Sequence, residues 1–151
     1  MQDLKTLYVS RPLINGADLV KWARSAGFDK TLQPEDMHVT IAFSRKLVDW
    51  SLLTPETNSM RNSSSPRRIT PLGDKGAIVL KFESNILQNR WAEFLESGCS
   101  WDYPSYQPHV SITYDGDKTK DYGEPYTGYL VFGPEKFTEV VEDWDKKVKE
   151  S

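Results

Sequence analysis

The chain has 151 residues, 38% of them apolar and 27% charged, with a formal net charge of −3. That length suits one domain with a real core, while the acidic balance argues against coating duplex nucleic acid, and no apolar run reaches the ~18 residues of a membrane-spanning helix. Cys99 is the only cysteine and there are two histidines, which excludes an internal disulfide, suits a reducing cytosol and makes a zinc site poor.

Met1 to Thr6 lacks an apolar signal region, so secretion is not expected and the location read from the sequence is cytoplasmic. Lys5 to Ser10 reads as a strand, with Leu7 and Val9 inward and Thr6, Tyr8 and Ser10 on the other face. Asn15 is placed to cap a helix over 16–26 whose buried stripe is Leu19, Val20, Ala23 and Ala26, with Gly27 ending it. Gln33 and Pro34 then turn the chain into a strand over Met37–Phe43. Strict alternation puts Met37, Val39, Ile41 and Phe43 inward and leaves His38, Thr40 and Ala42 opposite. Leu47 to Trp50 reads as a short further strand.

From Leu53 to Pro66 the chain is polar, aperiodic and rich in hydroxyls, which is read as a surface loop or a lid over a site. Its cations Arg61, Arg67 and Arg68 suit phosphate, or solvent. Arg68–Leu72 can pair with a strand over 77–83 across the turn-forming residues 73–76. Ser84 offers a cap for a second helix, with Leu87, Trp91, Phe94 and Leu95 as its apolar stripe and Gly98 as its stop. An aromatic linker with Trp101, Tyr103 and Tyr106 leads into the strand Pro108–Tyr114, where Val110, Ile112 and Tyr114 are expected inward and His109, Ser111 and Thr113 outward. Strands over 127–132 and 136–141 complete the elements.

Two of these strands share a pattern. Met37–Phe43 reads Met-His-Val-Thr-Ile-Ala-Phe, and Pro108–Tyr114 reads Pro-His-Val-Ser-Ile-Thr-Tyr. Each has an imidazole, one inward apolar residue, then a hydroxyl on the imidazole's side, and the two copies use both histidines of the chain. Strand, helix and histidine strand occur in that order in each half, so the halves look like two pseudo-repeats, about 1–52 and 67–145, joined by the polar loop 53–66. The expected fold is α+β and bilobal, a pseudo-two-fold arrangement of two antiparallel sheets around a central cleft with helices on the outside.

Two imidazoles across a cleft suit metal-independent phosphoryl transfer, one neutral and taking a proton, the other charged and giving one. Thr40 and Ser111, two residues on, can donate hydroxyl protons to the phosphate oxygens as charge grows there. No metal and no cofactor is expected. The alternative to catalysis is a binding protein that sequesters its nucleotide intact.

The paired His-x-Thr/Ser motifs resemble the two-histidine phosphoesterase superfamily. Lys5-Thr-Leu-Tyr-Val-Ser-Arg-Pro, Asp36-Met-His-Val-Thr-Ile, Gln107-Pro-His-Val-Ser-Ile-Thr-Tyr-Asp and Val131-Phe-Gly-Pro-Glu further resemble the bacteriophage anti-CBASS nucleases. That resemblance implies cleavage of 3′,5′-linked cyclic di- and trinucleotide signals, such as cyclic GMP-AMP, in the infected host's cytoplasm. It makes His38 and His109 the acid–base pair and Thr40 and Ser111 the phosphate donors. It also makes Tyr8, Glu139 and Trp144 candidates for holding the bases. Within the same superfamily the other reading is a phosphodiesterase for 2′,5′-oligoadenylate or RNA 2′,3′-cyclic ends.

Overall fold

A computed structural model describes residues 4–63, 65–73 and 75–140. The strands are β1 (Leu4–Pro12), β2 (His38–Asp49), β3 (Met60–Asn62), β4 (Arg67–Leu72), β5 (Ala77–Phe82), β6 (His109–Thr113), β7 (Leu130–Phe132) and β8 (Lys136–Thr138). Helix α1 (Gly16–Ala26) joins β1 to β2, and α2 (Asn85–Glu96) joins β5 to β6. Six strands form one antiparallel sheet in the order β4-β5-β6-β2-β1-β8, and β3 with β7 makes a second, two-stranded sheet. The fold is α+β, as the pattern of elements predicts. The order is symmetric about the central pair β6–β2, the two histidine strands, each flanked by the strand that precedes it through a helix.

One face of the large sheet is the core. Leu7, Val9, Val39, Leu80, Val110 and Ile112 are fully buried there with Leu19 and Ala23 of α1 and Leu87 and Phe94 of α2. Phe132 of the small sheet stacks on Phe82, ring centroids 5.6 Å apart, so both sheets share this core. The opposite face carries the polar alternates, and the histidines with them.

Local chemistry explains the helix ends. Ser84 Oγ accepts the Leu87 N–H at 3.2 Å, as a cap should. Gly27 takes the left-handed φ of +108° that ends α1, a conformation side chains resist. Asn15 does not cap α1. Its amide oxygen accepts the Val131 N–H at 3.0 Å and its amide nitrogen donates to Tyr129 O at 2.8 Å, so it ties α1's entrance to β7 instead. Leu47 to Trp50 is no separate strand, since β2 runs unbroken through Asp49. The polar stretch 53–66 is held at both ends: β3 pairs with β7, and Glu56 exchanges hydrogen bonds with Glu135. The strands expected over 127–132 and 136–141 are shorter, at Leu130–Phe132 and Lys136–Thr138.

Candidate active site

The register of the central pair builds the site. Val39 lies opposite Val110, both fully buried. One residue to either side, His38 then faces Ser111 and Thr40 faces His109, all four on the face away from the core. The two imidazoles are thus diagonal neighbours, a relation that puts Cα atoms about 7–8 Å apart.

Both rings are oriented in the same way. His38 Nδ1 lies 3.0 Å from Asp36 O, and His109 Nδ1 lies 2.9 Å from Gln107 O. A carbonyl oxygen only accepts, so Nδ1 carries the proton in each ring and Nε2 is left to exchange one. Tyr8 adds a second hold on one side. Its hydroxyl is 3.0 Å from His38 Nε2 and 3.0 Å from Thr40 Oγ1, joining imidazole, phenol and hydroxyl in a chain. Thr40 is held through its backbone as well, because the buried Tyr106 donates its hydroxyl to Thr40 O at 2.6 Å.

Burial pushes both histidines below their ordinary pKa, against the pull of their carbonyl partners. For His109 the positive charges of His38 and Lys81 push the same way, while for His38 the Asp36 charge opposes. Burial raises the Tyr8 hydroxyl above its ordinary phenol pKa despite its bond to Thr40, so it stays a proton donor at neutral pH.

Each histidine strand also carries a bulge, and here the alternation read from the sequence fails. On β2, Ser10 pairs with Thr40 but Val9 pairs with Ala42, which leaves Ile41 as the extra residue. On β6, Val79 pairs with Ser111 but Ile78 pairs with Thr113, which leaves Ile112 extra. An inserted residue puts two successive side chains on one face and reverses the facing of every later residue in the strand. Ile41 and Ala42 therefore both enter the core, as do Ile112 and Thr113. Phe43 is not inward as expected: it pairs with Tyr8 and meets that ring edge-on at 6.0 Å. By the same shift Tyr114 turns toward the histidine face, where its charge would oppose ionisation of Tyr8.

The remaining candidates separate. Glu139 is exposed, one residue past Thr138, which pairs with Tyr8. Trp144 lies outside the described residues. Arg61 stacks on the Tyr129 ring at 4.0 Å, and Arg67 donates to Tyr126 O, Gly128 O and Asn62 Oδ1, so both have structural partners. Arg68 alone of the three turns to the histidine face. Lys81, Ser10 and Tyr106 are not among the expected site residues, although the alternation puts Ser10 on the face of Tyr8 and Lys81 opposite Ile78, Leu80 and Phe82. Among the described residues no three His, Cys, Asp or Glu side chains are grouped to hold a metal ion. No described helix is long and apolar enough to cross a membrane.

Residues 5–147 match the family model described as anti-CBASS protein Acb1. A protein of that description from Caulobacter sp. (strain RHG1) is 46% identical over 153 residues, covering 97% of this chain. Another, from Vibrio phage KVP40, is 29% identical over 98 residues, covering 65% of this chain. The chain spans 24% of the length of the Caulobacter relative and 64% of the phage one. In three dimensions it resembles E. coli LigT complexed with 3′-AMP, with a TM-score of 0.58 at 13% identity, over 92% of this chain and 97% of that one.

Proposed function

This chain belongs to the anti-CBASS protein Acb1 family, and from that premise we propose that it is a metal-independent phosphodiesterase for 3′,5′-linked cyclic di- and trinucleotides, of which cyclic GMP-AMP is one. The observation that carries the reading is the matched pair of imidazoles. Each has Nδ1 committed to a carbonyl and Nε2 on one face, and each lies across from a hydroxyl on the neighbouring strand.

In the reaction, one neutral histidine takes the proton of a ribose 2′-hydroxyl. That oxygen attacks phosphorus in line, and the other histidine, protonated, gives its proton to the departing 5′-oxygen. A 2′,3′-cyclic phosphate forms, and water opens it with the two roles exchanged. Thr40 and Ser111 donate to the non-bridging oxygens as negative charge builds. The Tyr8 hydroxyl holds Thr40 Oγ1 and His38 Nε2 in register, so the donor and the proton carrier are fixed relative to one another. Tyr8, Glu139 and Trp144 are assigned to the bases, with the Tyr8 ring offering a stacking face. In phage-borne forms the place of action is the cytoplasm of the infected host.

Incubation with a panel of cyclic and linear oligonucleotides tests this. Cyclic di- or trinucleotides should be cut, and His38→Ala or His109→Ala should each lower kcat by about 10²–10⁴-fold while binding persists. EDTA should leave the rate unchanged. Recovery of every cyclic ligand intact would convert the protein into a sponge for these molecules.

A further inference from the structure

The reaction needs one phosphodiester at the imidazoles, and a line of side chains running out from His109 points to where a second anion goes. His109 pairs with Lys81 of β5, and Lys81 pairs with Arg68 of β4. Directly opposed residues turn their side chains to one face. Leu80 and Phe82, on either side of Lys81, are in the core, which fixes that face as the histidine face. With strands about 4.8 Å apart, Lys81 stands one strand from His109 and Arg68 two, about 10 Å.

This is an unfavourable arrangement in isolation. Like charges directly opposite one another destabilise a sheet, and the Lys81 charge also opposes that of His109. Among the described residues neither the Arg68 nor the Lys81 side chain has an ion pair or a hydrogen bond. Yet acids outnumber bases in the chain, 22 to 19. Arg67, next in sequence and on the other face, shows what a cation with a structural task does, since it is spent on carbonyls. An anion from outside the chain would satisfy both cations at once.

We propose that Arg68 and Lys81 form a subsite for a second phosphate, which matches the site to molecules carrying two or more phosphodiesters rather than one. The second phosphate then lies over β5 and β4, while the bases stay on the side of β1 and the segment after β8. This rests on His38 and His109 being the cleaving pair. The competing explanation is that Arg68 is an edge-strand charge that deters association between sheets.

Binding separates the two. Dissociation constants would be measured for a phosphorothioate cyclic dinucleotide, which has two phosphates and resists cleavage, and for a phosphorothioate dinucleoside monophosphate, which has one. In Arg68→Gln the preference for the two-phosphate ligand should fall about tenfold, the loss expected for one charge-assisted contact. The slope of log Kd against log salt should become shallower by about one. Lys136→Gln, at the far end of the same row beyond Ser10, should not change that preference. An unaltered preference in Arg68→Gln, or an equal fall in Lys136→Gln, overturns the subsite, and so does failure to bind either ligand. Cleavage of unmodified cyclic dinucleotide, followed separately, judges the histidine pair: binding with the Arg68 effect but no turnover would keep the subsite and discard the catalyst.

Discussion

At the scale of single residues, the two imidazoles differ less in orientation than in company. Both lose charge to burial, so both midpoints lie below the usual value of about 6.5. That direction fixes the sign of the pH dependence. A base with a lowered pKa stays neutral to more acid pH, and an acid with a lowered pKa loses its proton sooner as pH rises. The profile of kcat/KM should therefore be a bell with its maximum on the acid side of about 6.5; a maximum above about pH 7.5 would contradict it. Lys81→Gln removes a positive neighbour of His109 alone, so one limb of that bell should move up in pH and the other stay. Tyr8→Phe makes a different demand. It keeps the ring and removes the hydroxyl that bridges His38 and Thr40. Steady-state kinetics should show kcat falling roughly tenfold, about the value of a lost hydrogen bond at a fixed site, with KM nearly unchanged. A risen KM with intact kcat would make the hydroxyl a ligand contact instead.

At the scale of elements, the bulges and the corner before β8 shape the site. Inserting Ile41 and Ile112 after the two hydroxyl residues bends each histidine strand and sends the next aromatic to the site face. The corner depends on Glu135, whose side chain is fully buried. It takes Arg90 Nε at 2.9 Å and Nη2 at 2.8 Å, and its Oε1 also accepts the Glu56 N–H at 2.9 Å. Arg11 is buried nearby and donates to Asn58 O and Gly133 O, both at 2.9 Å. These contacts hold the polar stretch after residue 53 against the body. Replacing Glu135 by Ala leaves two cations short of their counter-charge. Denaturant unfolding should show a loss of about 3–5 kcal/mol, the usual consequence of breaking a buried pair from one side.

At the scale of the molecule, one apolar core serves both sheets and both helices, and the histidine face is what remains outside it. The stacked rings of Phe82 and Phe132 join the large sheet to the small one at the core's centre. Phe132→Ala should cost about 3–5 kcal/mol in the same unfolding measurement. It should also loosen β3 and β7 before the central strands, which hydrogen exchange would resolve. A uniform loss of protection would mean that the two sheets unfold as one unit.

Periodicity in the chain was enough to determine the two helices, the longer strands and the polar faces of the histidine strands, because burial of one face leaves a repeat of two or 3.6 that a single sequence displays. The four residues His38, Thr40, His109 and Ser111 were legible for the same reason, since each strand shows its pair two residues apart. Three matters were decided only by tertiary structure. Bulges cannot be read from Ile41 or Ile112, as an extra residue in a strand exists only relative to the partner it fails to match. Asn15 reads as a cap in any local analysis, and lost that task to backbone groups of β7 and its approach more than a hundred positions away. The line from Arg68 through Lys81 to His109 depends on cross-strand register. Register is set by how three strands align their buried residues, and no one segment carries that information.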